Sequence, residues 1–141
     1  MNPLDERLGA IAQIALSVLS GEASPRAADI GCDHGYLAAH LLAANPALRM
    51  VVSDVSAPSL EKARRLLAAE GLSVRASFAV ADGLCGIPQD AQVQVIVIAG
   101  MGAKTIRSIL QAGRAHIGGA TLIVQANRDL PMLRAGLAAD G

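Results

Sequence analysis

The sequence is nearly without aromatic side chains. Its 141 residues include one tyrosine, Tyr36, one phenylalanine, Phe78, and no tryptophan. Proteins that bind single-stranded nucleic acid without sequence preference stack successive bases on several aromatic side chains. This chain has too few aromatic residues for a binding surface of that kind.

Long apolar runs and cysteine pairs are also missing. Hydrophobic residues make up 52% of the chain but occur in short runs, and no charged-then-apolar segment opens it, so we expect neither a membrane span nor secretion. Cys32 and Cys85 are too few for a disulfide framework and are expected to be reduced. No second set of ligands accompanies Cys32, Asp33 and His34, so we expect no metal. These features predict a cytoplasmic protein.

The chain has no excess of charge of either sign, with 12 basic and 12 acidic side chains. The overall basic charge of many nucleic-acid-binding proteins is therefore absent. Residues 1–98 carry seven basic and ten acidic side chains, whereas residues 99–141 carry five basic and two acidic ones. The positive second part is compatible with phosphate contacts, although arginines on helix surfaces are more often only solvated.

The most informative segment is 27–37, which reads as a buried strand, a turn with glycines and the start of a helix. Open α/β sheets bind nucleotide-like cofactors at such turns. Gly31 and Gly35 let the backbone turn tightly, and Asp29 and Asp33 flank the turn. These carboxylates would repel a dinucleotide's pyrophosphate, and the third glycine of that motif is absent. The sulfonium, ammonium and ribose hydroxyls of S-adenosylmethionine suit them better, which favours a methyltransferase.

Three later strands also end in polar or glycine-rich turns. Strand 50–54 ends in Asp54, which is placed to bind ribose hydroxyls, strand 76–81 precedes an acid and a glycine, and strand 93–99 precedes Gly-Met-Gly. A turn or cap explains any one of these positions, but four successive strand ends favour a cofactor site. The predicted cofactor contacts are Asp29, Gly31, Gly35, Asp54, Val55, Asp82, Gly83, Ala99, Gly100 and Met101.

Apolar periodicity predicts alternating helices and strands. A helix is expected over 3–20, another from Ser56, with Pro58 in its first turn, to about Gly71, and a third over 104–113. A fifth strand is expected over 120–126, and a helix is expected from about residue 129. The pattern predicts one α/β domain over 1–141 with a mostly parallel, doubly wound sheet.

Residues 29–37 (DIGCDHGYL), 98–103 (IAGMGA) and 122–127 (LIVQAN), followed by Leu133 and Arg134, carry a family resemblance. Together they resemble the bacterial tRNA (adenine-22) N1-methyltransferase family. The resemblance implies a Rossmann-like class I core that transfers methyl from S-adenosylmethionine to N1 of adenine 22 in tRNA. Ala103 and Ala126 depart from it, since the family often has Gly and Pro there.

The family resembled also has further C-terminal strands and a helical extension, which these residues do not include. We therefore expect a chain truncated after the fifth strand and its helix. The fifth strand would then expose an edge through which two chains can associate.

The Gly-Met-Gly turn after the fourth strand narrows the chemistry. It lacks the Asn/Asp-Pro-Pro-aromatic loop used on exocyclic amines and the cysteine used on cytosine carbon. Ring N1 of adenine has a free lone pair, so alignment suffices, although the base must leave any pairing. On the target side we predict Asp33, His34 and Asn127 as catalytic residues. A helix cap remains an alternative for Asp33 and Asn127, and a backbone-bonded loop histidine for His34.

Two other function classes stay open. An NAD-dependent oxidoreductase would share the strand-turn-helix unit and Asp54. A cofactor-binding module without turnover is the second alternative. Preferential binding of NAD would favour the first, and cofactor binding without transfer to RNA would favour the second.

Overall fold

A computed structural model describes residues 4–127 of the chain. Five strands, all parallel to their neighbours, form one sheet in the order β3-β2-β1-β4-β5. Their bounds are β1 Arg26–Ile30, β2 Arg49–Asp54, β3 Ala76–Val80, β4 Val95–Met101 and β5 Thr121–Ala126. The strand order reverses between β1 and β4, which is where a doubly wound sheet opens a crevice for ligands. The predicted Rossmann-like fold is confirmed.

Within residues 4–127, helix α1 Glu6–Leu19 precedes the first strand, and three α-helices connect strands: α2 Tyr36–Ala44, α3 Ala57–Ala69 and α4 Ala103–Ala112. The Asp5 carboxylate caps α1 by accepting from Leu8 N at 2.8 Å, so α1 begins later than the predicted helix 3–20. Ser56 Oγ caps α3 as predicted, accepting from Ser59 N at 3.3 Å. The helix predicted from residue 129 lies outside the described residues.

The sheet is covered on both faces. Helices α1, α2 and α3 pack on one face against Ala27, Val52 and Val97, and α4 packs on the other against Ala28 and Ile98. Residues 95–98 are fully buried, as expected for a central strand between two helical layers. Of the helices described, none combines the length and apolar character needed to cross a bilayer.

Strand β4 is shifted from its predicted position at 93–99. Its pairing with β1 begins at Val95. Just before it, Gln94 N donates to Arg26 O at 2.8 Å, and the Gln94 side-chain oxygen accepts from Arg26 N at 2.6 Å. At the other end β5 continues the pairing to Met101, past an irregularity between Ala99 and Met101. The residues predicted as a free turn, Gly100 and Met101, therefore belong to the end of the strand.

Some features were not predicted. Short 3₁₀ turns occupy Ser73–Arg75, Gly83–Gly86 and Arg114–His116. The other strands agree with the predicted bounds to within one residue. Within residues 4–127 the outer strands of the sheet are β3 and β5.

Gly35 generates a stability prediction. Its φ is +85°, and an added Cβ would lie 2.8 Å from Ala63 Cβ and 2.9 Å from Ala63 Cα on α3. Gly35→Ala should therefore lower the free energy of unfolding by about 2–4 kcal/mol, from backbone strain and overpacking together. Gly71→Ala is the matched control, because its φ is +72° but nothing lies within 4 Å of the added atom. It should cost about 1 kcal/mol.

Chemical denaturation of both variants measures the difference. Equal losses in the free energy of unfolding would show that Ala63 moves aside for the added methyl group at no measurable cost.

Candidate active site

A cleft of about 880 Å³ opens at the carboxyl ends of the strands. It is lined by all the predicted site residues except Gly35, which packs against Ala63 instead. Gly35 is a helix-packing residue in this structure, and its predicted contact with a cofactor stays a prediction. Tyr36 also lines the cleft. Sequence reasoning missed the other lining residues: Arg7, Leu8, Ile30, Cys32, Leu37, Ala81, Leu84, Cys85, Lys104, Thr105, Ser108, Ile109, Ala112 and Gly113.

The first turn is held by its neighbour strand. Gly31 N and Cys32 N both donate to Ser53 O, at 2.9 and 3.0 Å, which brings the end of β1 against the end of β2. Gly31 has a φ of +73°, and its Cα faces the Met101 methyl group so closely that an added Cβ would collide with it. A side chain at Gly31 would therefore displace the Met101 methyl group, and the positive φ would strain the turn.

Asp54 links two loops. Its Oδ2 accepts from Asp33 N at 3.0 Å and its Oδ1 accepts from Ser56 N at 2.8 Å. Each carboxylate oxygen can accept more than one hydrogen bond, so lone pairs remain for a hydroxyl-bearing ligand. The carboxylate lines the cleft and is buried, with 9% of the residue exposed.

The carboxylate of Asp29 is costly to bury in the cleft. The residue is 4% exposed, and no described residue donates a hydrogen bond to its carboxylate. Burial, followed by the charges of Asp54 and Asp33, raises the pKa of Asp29 to about 7. A buried carboxylate beside two others attracts a cationic group, which would relieve both the burial and the repulsion.

Cys32 shares this environment but is not poised as a nucleophile. Burial, followed by the Asp29 charge, raises the pKa of its thiol, so the neutral form persists. Its Sγ lies 3.7 Å from Asp33 O. Within residues 4–127, no three His, Cys, Asp or Glu side chains are grouped so that they can hold a metal ion.

Asp33 and His34 stand at the mouth of the cleft. His34 Nε2 lies 3.7 Å from Asp33 Oδ1, and their side chains are 43% and 77% exposed, respectively. The His34 ring meets the Tyr36 ring edge-on, with centroids 5.9 Å apart. Asp33 does not cap α2, because the cap position belongs to Gly35 and no side chain bonds there.

The opposite rim is the Gly100–Met101 backbone, held by two amide side chains. Gly100 N donates to Gln125 Oε1 at 3.0 Å, and Asn127 Nδ2 donates to Gly100 O at 2.7 Å. Asn127 N also donates to Met101 O at 2.9 Å. Arg7 joins this group by donating from Nη1 to both amide oxygens, at 3.1 Å to Gln125 and 3.4 Å to Asn127.

Sequence reasoning missed Arg7 and Gln125. Gln125 gave a signal, because it is a polar residue inside an otherwise apolar strand. Arg7 gave none, since one arginine on an amphipathic helix looks like any solvated surface residue. Of the basic residues after position 98, Lys104 lines the cleft, and Arg128 and Arg134 lie outside the described residues.

Comparison with known proteins decides the family. The sequence model of the family described as tRNA (adenine(22)-N(1))-methyltransferase matches residues 27–141. The chain belongs to this family. The resemblance inferred from the sequence is thereby confirmed.

The chain is similar to other proteins in both sequence and structure. It is 38% identical over 109 residues to a putative tRNA methyltransferase of Mycoplasma pneumoniae, covering 76% of this chain and 47% of the relative. The Bacillus subtilis m1A22 tRNA methyltransferase TrmK superposes with a TM-score of 0.81 at 28% identity, over 98% of this chain and 56% of that one.

A Streptococcus pneumoniae protein solved in complex with S-adenosyl-L-methionine superposes with a TM-score of 0.84 at 28% identity, covering 99% of this chain and 63% of that one. This chain therefore spans about half the length of the curated relative and less than two thirds of these two structures.

The pKa of Asp29 generates a pH prediction. Its folded-state pKa of about 7 lies above the ordinary value of 3.8, so its contribution to stability is fully present below pH 3.8 and is lost as pH rises through about 7. Asp29→Asn removes this titration. The variant should gain stability relative to the parent between pH 4 and 7, on the order of 2–4 kcal/mol, and no further above pH 8.

Thermal or urea unfolding across pH 4–9 measures this difference, with Asp90→Asn at an exposed site as the control for losing one carboxylate. A constant difference between Asp29→Asn and the parent at every pH would mean that Asp29 is not strained by burial.

Proposed function

We propose that the chain binds S-adenosylmethionine in the cleft and directs its methyl group to N1 of adenine 22 in a tRNA. The observation that carries this proposal is the buried Asp29 carboxylate, which accepts no hydrogen bond from residues 4–127 and lies beside Asp54 at the strand ends. A cationic cofactor would neutralise it where an anionic dinucleotide would not. The family of the chain and its similarity to a protein solved with this cofactor support the same ligand.

Each end of the cleft suits one part of that cofactor. Asp29 and the backbone at Gly31 face the site proposed for the methionine ammonium. Asp54 and the exposed Val55 suit the ribose hydroxyls and one face of the adenine, and Asp82 with Gly83 suits the adenine edge. The cofactor supplies an electrophilic methyl group, so the protein has only to align it with the target and exclude water.

The target base is proposed to enter between Asp33 and the Gly100–Met101 rim. Ring N1 would take the methyl group with its own lone pair while the methyl–sulfur bond of the cofactor broke. S-adenosylhomocysteine would leave as a neutral thioether, and the positive charge would pass to the ring. Asp33 would accept from the adenine amino group and offset that charge, and His34, whose Nε2 lies 3.7 Å from Asp33 Oδ1, would orient it. Asn127 uses one amide proton on Gly100 O, and its amide nitrogen carries a second that is available to the base.

This assignment has consequences for the partner. Adenine N1 lies on the Watson–Crick edge, so the tRNA must release the base from pairing before reaction. Lys104 lines the cleft wall and is the cation that we propose for a phosphate of the target nucleotide. The cytoplasm, where tRNA is available, is the compartment that this function implies. Self-association through the β5 edge remains a prediction.

The alternative of a cofactor-binding domain without turnover is supported by one observation. Because the chain spans only part of its relatives, a cofactor-binding domain without turnover is the second candidate. It predicts cofactor binding with no methyl transfer to any tRNA. The oxidoreductase alternative has no such support, since the family match points away from it.

The first test is cofactor binding by calorimetry with S-adenosylmethionine, S-adenosylhomocysteine and NAD. Asp54→Ala should weaken the two adenosyl-sulfur ligands by roughly 10- to 100-fold, as loss of charge-assisted hydrogen bonds worth about 1.5–3 kcal/mol would. Asp54 also holds Asp33 N and Ser56 N, so Asp54→Asn, which keeps one acceptor oxygen, is measured beside it. Unchanged affinity in both variants, or tighter binding of NAD, would contradict the proposed site.

The second test separates target chemistry from cofactor binding. Asp33→Asn should slow methyl transfer to an unmodified tRNA by roughly 10- to 100-fold, because the side chain can no longer offset the developing charge. Its cofactor affinity should stay within about twofold. Radiolabelled methyl incorporation measures the rate, and a transcript with guanine at position 22 is the negative control. Equal losses in rate and cofactor affinity would move Asp33 into the cofactor site.

A further inference from the structure

We propose that Arg7 is a positioning residue, which fixes the Gly100–Met101 rim of the cleft through the side-chain amides of Gln125 and Asn127. Arg7 lies in the first turn of α1, outside the residues that the family model matches. The role in methyl transfer rests on the proposed function. The hold on the rim is a property of the chain itself.

One nitrogen makes both contacts. Arg7 Nη1 donates to Gln125 Oε1 at 3.1 Å and to Asn127 Oδ1 at 3.4 Å, and its Nη2 lies 3.8 Å from the Asp5 carboxylate. The two amides then hold both peptide groups of Gly100. Gln125 accepts from its N–H at 3.0 Å, and Asn127 donates to its C=O at 2.7 Å.

A cation at this place sets which way each amide faces. If the Gln125 amide turned over, its NH₂ group would point at the Gly100 N–H and at the guanidinium, and three donors would meet. A reversed Asn127 would likewise present its oxygen to Gly100 O. Gln125 Oε1 already accepts from Gly100 N, and Asn127 Oδ1 accepts from Gln125 Nε2 at 3.5 Å. Arg7 reinforces the amide orientation that pins the rim, because it adds a charged donor to both oxygens.

The guanidinium also touches the rim directly. Gly100 has a φ of +80°, and an added Cβ would lie 3.2 Å from Arg7 Nη1. The neighbouring Met101 side chain reaches Gly31 across the cleft. Displacement of Gly100 would therefore change the gap between the rim and the first turn, which is the gap that the methyl group has to cross. Small changes in such a distance cost much of the rate gained from alignment.

The alternative role for a half-exposed arginine in this cleft is a direct contact with an RNA phosphate. The two roles make different demands on the protein without RNA. A positioning residue orders the rim before any substrate arrives, whereas a phosphate contact leaves the rim unchanged when it is removed.

Amide hydrogen exchange by NMR on the chain alone tests this difference. Arg7→Gln should speed exchange of the Gly100 amide by about 10-fold, the loss expected when one hydrogen bond is weakened, with the Gly31 amide unchanged on Ser53 O as an internal control. Arg7→Lys should restore part of the protection, because a single nitrogen makes both contacts. Arg65→Gln, at an arginine 80% exposed on α3, is the matched control and should change nothing.

Single-turnover methyl transfer with saturating cofactor gives the functional readout. Arg7→Gln should lower the rate about 10-fold at saturating tRNA, and its effect should shrink to less than about twofold in a Gln125→Ala background, as expected for residues that act through one another. A full Arg7 effect in that background, confined to the KM for tRNA, would overturn the proposal and assign Arg7 to RNA. An unchanged Gly100 exchange rate in Arg7→Gln would overturn it as well.

Failure of the proposed function can be distinguished from failure of the Arg7 proposal. If the unsubstituted chain neither binds the cofactor nor transfers methyl, the proposed function fails for this chain. The exchange rates of Gly100 in the parent and the Arg7 variants still decide whether Arg7 holds the rim.

Discussion

The carboxylate of Asp54 is the contact on which the cleft depends. It ends β2, takes a backbone N–H from the loop after β1 through Asp33, and takes another from the start of α3 through Ser56. Three segments that are distant in sequence are thus oriented by one side chain. Ser53, its neighbour, adds two more backbone bonds from Gly31 and Cys32 through its carbonyl oxygen. The first turn is therefore shaped by β2 rather than by its own sequence alone.

This arrangement brings three acidic side chains together in the cleft, where a buried negative charge destabilises the fold. Asp29 and Asp54 are buried, and Asp33 stands above them, so that Asp29 holds its proton up to a pH of about 7. A structural carboxylate in a core is normally paired or hydrogen-bonded, because an unpaired one is costly to bury. Such departures from the rules of packing are expected at functional sites. A cationic ligand removes the cost, which couples the stability of the domain to its occupancy.

The local parts of this structure could be predicted from the sequence. Apolar runs located the strands, and Ser56 with Pro58 located the start of α3, because strand burial and helix capping depend on neighbouring residues. The end of β4 could not be placed in this way, since pairing of Met101 with Ala126 extends the strand through two residues that resemble a turn. The packing of Gly35 could not be predicted for a similar reason: a glycine required by Ala63 looks the same in sequence as one required by a ligand.

The two sides of the cleft differ in how they are built. The proposed cofactor side uses residues 29–83, in which each strand end follows the previous one and the spacing itself carries the pattern. The rim at Gly100 joins β4 to residues 125 and 127 and to an arginine 118 positions away from Gln125. No sequence spacing indicates a contact over that distance. Arg7 was therefore not predicted as a residue of the cleft, whereas Asp54 was predicted from its position at a strand end. The rim therefore depends on contacts between segments that are distant in the sequence, whereas the order of the strands alone brings the turns within residues 29–83 together.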